Sequence, residues 1–180
     1  GGFMMMPFGS AFAINNVKVS MAQLPLMFMV SGVASLVTMP LIGRFSDKIN
    51  KLTLFTSATL VAVVIINIYT RFSETPFWIV LVINVAMMIS ILSRMVPAMA
   101  LNSAIPQPQD RGAFMSINSS LQQIAGGLGA VFAGLVIVQN DKFSPLQHYD
   151  WLGMITSAVM VASIYLVYRV QAVVAQKMKS

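Results

Sequence analysis

The stretch Gly43-Arg44-Phe45-Ser46-Asp47-Lys48-Ile49-Asn50-Lys51 decides how the rest of the chain is read. It places three cations and one carboxylate between two uncharged runs, 19–43 and 52–70. Crossing the hydrocarbon core of a bilayer takes a helix of about 20 apolar residues. A short basic turn between two runs of that length reads as a cytoplasmic hairpin. Within it, Gly43 is expected to let one helix end tightly. Asp47 is free to face the positive N-terminus of another helix. Arg44, Lys48 and Lys51 are free to pair with acids or helix C-termini.

The composition agrees. The chain is 57% hydrophobic and 9% charged, against roughly 25% charged residues in soluble domains. The formal charge of +6 is spread singly or in small groups at the ends of apolar runs. That is too sparse for a nucleic-acid face. With no cysteine, disulfides, thiolate metal sites and cysteine nucleophiles are excluded. His148, the sole histidine, shares a loop with Asp150 and cannot build a metal site alone. No cofactor is expected. The chain opens at Gly1 inside an apolar stretch, which reads as a fragment whose beginning is missing.

Uncharged intervals predict an all-α membrane protein. Full spans are expected at 21–43, 52–71, 76–103, 112–138 and 151–170, after the tail of another helix at 1–14. Ser20 and Gln23 offer a capping box, and Asn50 and Asp110 stand where N-caps belong. Alternate loops put seven cations on one side (Arg44, Lys48, Lys51, Arg111, Arg169, Lys177 and Lys179) and three on the other (Lys18, Arg71 and Lys142), with Arg94 inside a span. The positive-inside rule then makes the C-terminus cytoplasmic. Trp78 and Trp151 fall at the outer ends, as interfacial anchors do.

Two sets of polar residues stand out within the spans. Ser116, Ser120, Gln123, Gly127, Ala130 and Gly134 recur at steps of four and three, one side of a helix. Asn118, Ser119 and Gln122 are expected to widen that face. Gly126, Gly127, Gly129, Ala130 and Gly134 are small enough for close helix approach. Arg94 lies roughly 13 Å inside the cytoplasmic end at 1.5 Å per residue. Intramembrane arginines usually face the protein interior or a water cavity. Its expected partner is a substrate anion, backbone carbonyls or an acid outside this sequence. Asn84 shares its helix. The expected cavity residues are Asn84, Arg94, Asn118, Gln122 and Gln123.

The order Gly43-x-Phe45-x-Asp47-Lys48-x-x-Lys51 resembles the loop motif of the major facilitator superfamily, which runs Gly-x-Leu-x-Asp-Arg-x-Gly-Arg-Lys. Phe45 replaces the usual leucine, and Asn50 stands where glycine is common. The runs 97–101 and 111–116, and then Gln122-Gln123-Ile124-Ala125-Gly126-Gly127-Leu128-Gly129 with Gly134, are similar to the family's tenth helix, loop and eleventh helix. The nearest likeness is to bacterial sugar- and drug-efflux members. The resemblance implies the C-terminal six-helix half of a transporter in the bacterial inner membrane, working by alternating access. Gly43, Arg44, Asp47, Lys48, Lys51 and Arg111 would then form a conformational latch. The implied partners are the lipid bilayer, a small-molecule substrate and a missing N-terminal half. Antiport with protons is typical of such members, but no carboxylate or histidine lies within a span here. Any proton site would belong to that other half. The same inventory disfavours a membrane-embedded enzyme, since all five acids are in or beside loops. A non-transporting receptor on the same fold is the alternative.

Overall fold

The computed structural model describes residues 2–177. Lys179, counted above among the cytoplasmic cations, lies outside the described residues, as does Gly1. The chain forms α1 (Gly2–Met5), a 3-10 turn (Met6–Phe8), α2 (Gly9–Asn15), α3 (Leu24–Lys48), α4 (Lys51–Tyr69), α5 (Phe77–Ser103), α6 (Arg111–Val136) and α7 (Tyr149–Lys177). Five of these, α3 to α7, are long and apolar enough to cross a membrane. Their exteriors agree with that. Leu135 is 79% exposed and Leu36 is 74% exposed, within long apolar faces. Contiguous apolar surface of that extent is not stable in water.

The segment expected as one helix over 1–14 is broken. Pro7 sits in the 3-10 turn, and without an N–H it cannot continue the hydrogen-bond ladder. The α3 boundary also differs from expectation. The helix does not stop at Gly43 but runs through Lys48. A lone glycine costs a helix only about 0.5–1 kcal/mol, and the apolar side chain of Ile42 beside it is buried. The chain leaves the helix at Ile49, which is extended (φ −111°, ψ 150°). A Cβ added at Gly43 would meet nothing within 4 Å, so no neighbour among the described residues requires the glycine.

Caps vary in how they work. Asn50 accepts from the Leu52 N–H at 2.9 Å. Asp110 occupies the cap position of α6 with no side-chain hydrogen bond. Gln23 reaches back to the Ser20 N–H at 3.2 Å. The Ser20 hydroxyl, however, donates to Gln23 Oε1 instead of accepting from the backbone, so only half of a capping box forms.

α5 packs against α3 and α4, α4 against α7, and α1 against α6 and α7. The tightest core lies at the end opposite the basic hairpin. Phe12 stacks on Tyr149 with centroids 4.0 Å apart and lies 5.3 Å from Tyr69. Asn16 clamps the α6–α7 loop there, donating to the Leu146 carbonyl and accepting from the Leu146 N–H. Gly153 of α7 closes on the end of α4. A Cβ there would lie 2.6 Å from Thr70 Oγ1 and 2.8 Å from its Cγ2. Gly153→Ala should therefore destabilise the bundle by about 1–3 kcal/mol, read as a lower melting temperature in detergent. Adding Thr70→Ala should recover part of the loss. An unchanged melting temperature for the single variant would contradict the close approach.

Candidate functional site

Several polar side chains in α3, α4, α5 and α7 tie helices together. The Ser31 hydroxyl of α3 donates to Asn84 Oδ1 of α5 at 2.7 Å, with the Met27 carbonyl as a second acceptor at 2.9 Å. Asn67 of α4 donates to Ser157 Oγ of α7 at 2.8 Å. Gln171 of α7 donates to Asn50 Oδ1 at 3.1 Å, tying the end of α7 to the hairpin. Asn84, expected to face a cavity, is thus a helix–helix contact. Its partner Ser31 is buried.

Arg94 is placed likewise. Its Nε donates to Thr59 Oγ1 of α4 at 2.9 Å, and Nη2 donates to Ser163 Oγ of α7 at 3.0 Å. Cζ lies 5.1 Å from the centre of the Phe55 ring. The Thr59 and Ser163 hydroxyl protons go to the Phe55 and Met160 carbonyls. Each oxygen therefore turns its lone pairs to the guanidinium, in place of the expected carbonyl or carboxylate. This placement has a simple cause. Arg94 sits on the side of α5 that meets α4 and α7, and no acid lies in α4 or α5. Thr59 carried a legible signal, being the polar member of the buried row Phe55, Thr59, Ala62, Ile66. Nothing in the sequence pointed to Ser163.

α6 behaves differently. Gln122 and Gln123 are exposed, Asn118 is half-buried, and none of the three side chains has a hydrogen bond among the described residues. At 1.5 Å per residue Gln123 stands about 18 Å from the start of α6, near the middle of a 30 Å hydrocarbon layer. The helix presents three faces. Ile117, Leu121, Ile124, Leu128, Val131 and Leu135 form an exposed apolar row. On the packing face, a Cβ at Gly126 would lie 3.2 Å from the Phe3 ring, and one at Gly129 would lie 3.0 Å from Met4. Between these faces lies the row Ser116, Ser120, Gln123, Gly127, Ala130 and Gly134. Asn118 is not part of that row. Two residues beyond Ser116, it points about 200° away. Gly127, expected at the packing face, has nothing within 4 Å of its Cβ, and Gly134 makes only an ordinary contact with Phe8. Beside the broken N-terminal helix a groove of about 410 Å³ opens, lined by Phe3, Met6, Pro7, Gln123, Gly126, Gly127 and Ala130. The discontinuity at Pro7 thus falls next to Gln123.

The motif residues stand at helix ends. Asp47 and Lys48 lie in the last turn of α3 with Arg44 just before it, Lys51 opens α4 and Arg111 opens α6. Arg44, Asp47, Lys48 and Arg111 are exposed, and Lys51 is half-buried. Their side chains share no ion pair among the described residues.

Apolar helices around an uncovered polar row agree with the sequence model of the Major Facilitator Superfamily, which matches residues 1–179. The chain belongs to that superfamily. Its members are membrane transporters and not enzymes, in keeping with a major facilitator chain whose carboxylates all lie at helix ends or in loops. No curated protein and no solved structure gives a significant match. Among the described residues no cluster of His, Cys, Asp or Glu could hold a metal ion.

Proposed function

We propose that the chain is the C-terminal half of a secondary transporter that exports small drug- or sugar-like solutes by alternating access. The polar row of α6 carries this reading. An amide at mid-membrane depth without a partner costs several kcal/mol in lipid, so the row must face water, solute or another protein surface. The groove beside the broken helix suits solute contact, because discontinuous helices free backbone groups at transporter binding sites. Gln123 is the side chain proposed to hydrogen-bond the solute; Gln122, four residues from both Asn118 and Gly126, turns toward the packing side and does not line the groove. The uncovered α6 row and the exposed hairpin both suit apposition of an N-terminal half. In this arrangement the basic hairpin and C-terminus are cytoplasmic in a bacterial inner membrane. Arg44, Asp47, Lys48, Lys51 and Arg111 latch the cytoplasmic ends of the two halves, and any proton coupling rests on groups of the other half. The receptor alternative predicts binding without flux.

Gln123→Leu in the full-length protein should raise KM for the exported solute about tenfold, since one hydrogen bond contributes about 0.5–1.5 kcal/mol. Membrane insertion should be unchanged. Leu128→Ala, on the apolar row, should transport normally. Equal transport by both variants would remove the α6 row from the solute path.

A further inference from the structure

We propose that Gln171 of α7 is a positioning residue for the basic hairpin, holding it where it can act on the other half of the protein. The role presupposes that the hairpin is a latch. Little else fixes the hairpin to the bundle. α3 packs chiefly on α5, and α4 on α5 and α7, so its two arms are braced separately. Phe45 and Ile49 are 57% and 42% exposed, so burial of apolar side chains does not hold the turn. Ser46 is buried, but its Oγ has no hydrogen-bond partner among the described residues. Gln171 Nε2 donates to Asn50 Oδ1 at 3.1 Å. Among the described residues, no other hydrogen bond joins positions 43–51 to an element beyond α3 and α4.

The atom that Gln171 reaches is also the cap of α4. Asn50 Oδ1 accepts from the Leu52 N–H at 2.9 Å, and a carboxamide oxygen has a second lone pair for the tie. This dual use fixes both amides. Asn50 must present its oxygen to a backbone N–H, so Gln171 must present its NH₂ group. Gln171 Oε1 then turns inward, where it is buried and has no partner. A buried acceptor without a donor costs at least as much as an ordinary hydrogen bond gains. The tie therefore adds little net stability, and its effect is on where the turn sits. Lys51 follows Asn50 directly, and Asp47 and Lys48 precede it within one helical turn. A shift at Asn50 moves all three.

The test compares variants of the full-length protein, reconstituted for transport and in detergent for amide hydrogen exchange. In Gln171→Leu, exchange of residues 46–54 should rise about threefold, toward the low end for one neutral hydrogen bond because this one is exposed. The maximal transport rate should fall about threefold with KM unchanged, since the groove at Gln123 is not touched. The melting temperature should not fall, because leucine also removes the unpartnered oxygen. Asn50→Ser keeps a capping oxygen but is too short to meet Gln171, and it should show the same slower rate. The double variant should be no slower than either single one. Unchanged exchange in the hairpin, an unchanged maximal rate, additive losses in the double variant, or a lower melting temperature for Gln171→Leu would each overturn the proposal. Asp47→Asn, measured alongside, separates the two readings. Normal transport by Asp47→Asn would overturn the latch and this role with it. Slow transport by Asp47→Asn beside a normal rate for Gln171→Leu would overturn this role alone.

Discussion

Replacing Arg94 by lysine destabilises the helix bundle more than replacing it by methionine. The acceptors of the guanidinium stand on two helices, Thr59 on α4 and Ser163 on α7, and a planar fork reaches both at once. An ammonium is a compact point charge that cannot reproduce that geometry. Lysine therefore keeps the cost of holding a charge away from water while losing at least one charged hydrogen bond, worth about 1.5–3 kcal/mol. It also weakens the contact with Phe55. Methionine loses both bonds but removes the charge as well, so its net loss is smaller. Unfolding in detergent measures the order. If methionine is the worse substitution, the charge reaches water by snorkelling and the tie is of minor value. Neither variant should change solute preference. A changed KM at equal protein level would return Arg94 to the cavity.

Asp47→Asn is expected to lower transport on the order of tenfold, within the 1–3 kcal/mol typical of coupling between conformational states. It should not lower stability. Asp47 is exposed in the last turn of α3 and pairs with nothing among the described residues. A carboxylate at a helix C-terminus opposes the macrodipole, so the asparagine variant should be more stable by about 0.3–1 kcal/mol. The two measurements move in opposite directions, which separates a latch from a structural defect. Normal transport by Asp47→Asn would reduce the hairpin to a topology signal.

The five long helices were legible because a bilayer reads composition. Uncharged length, flanking cations and a proline or asparagine at the boundary predict a span without knowledge of its neighbours. The ends were less legible. Glycine at position 43 looked like a stop, but one glycine costs a helix only about 0.5–1 kcal/mol, and the helix runs on through Lys48. On α6 the polar row was legible, because 3.6-residue periodicity fixes which residues share a face, but Gly127, Ala130 and Gly134 belong by spacing to that row and by size to the packing set, and only the neighbours Phe3 and Met4 mark Gly126 and Gly129 as the packed glycines. By the same period Asn118 and Gln122, although adjacent in sequence to members of the row, fall outside it.

Arg94 and Asn84 were not legible. A sequence states that a polar group lies within a span but not which helices flank it, and so not what it meets. Thr59, Ser163 and Ser31 come from helices 35, 69 and 53 residues away in the chain from the groups they bind. The tie from Gln171 to Asn50 likewise exists only because α7 passes the start of α4. An all-helical membrane chain with five long apolar helices, and its family resemblance, follow from hydrophobicity, length and local order. Tertiary structure alone decided which polar residues are consumed in helix contacts and which remain uncovered, because the rotation and neighbours of each helix are set by packing across the bundle.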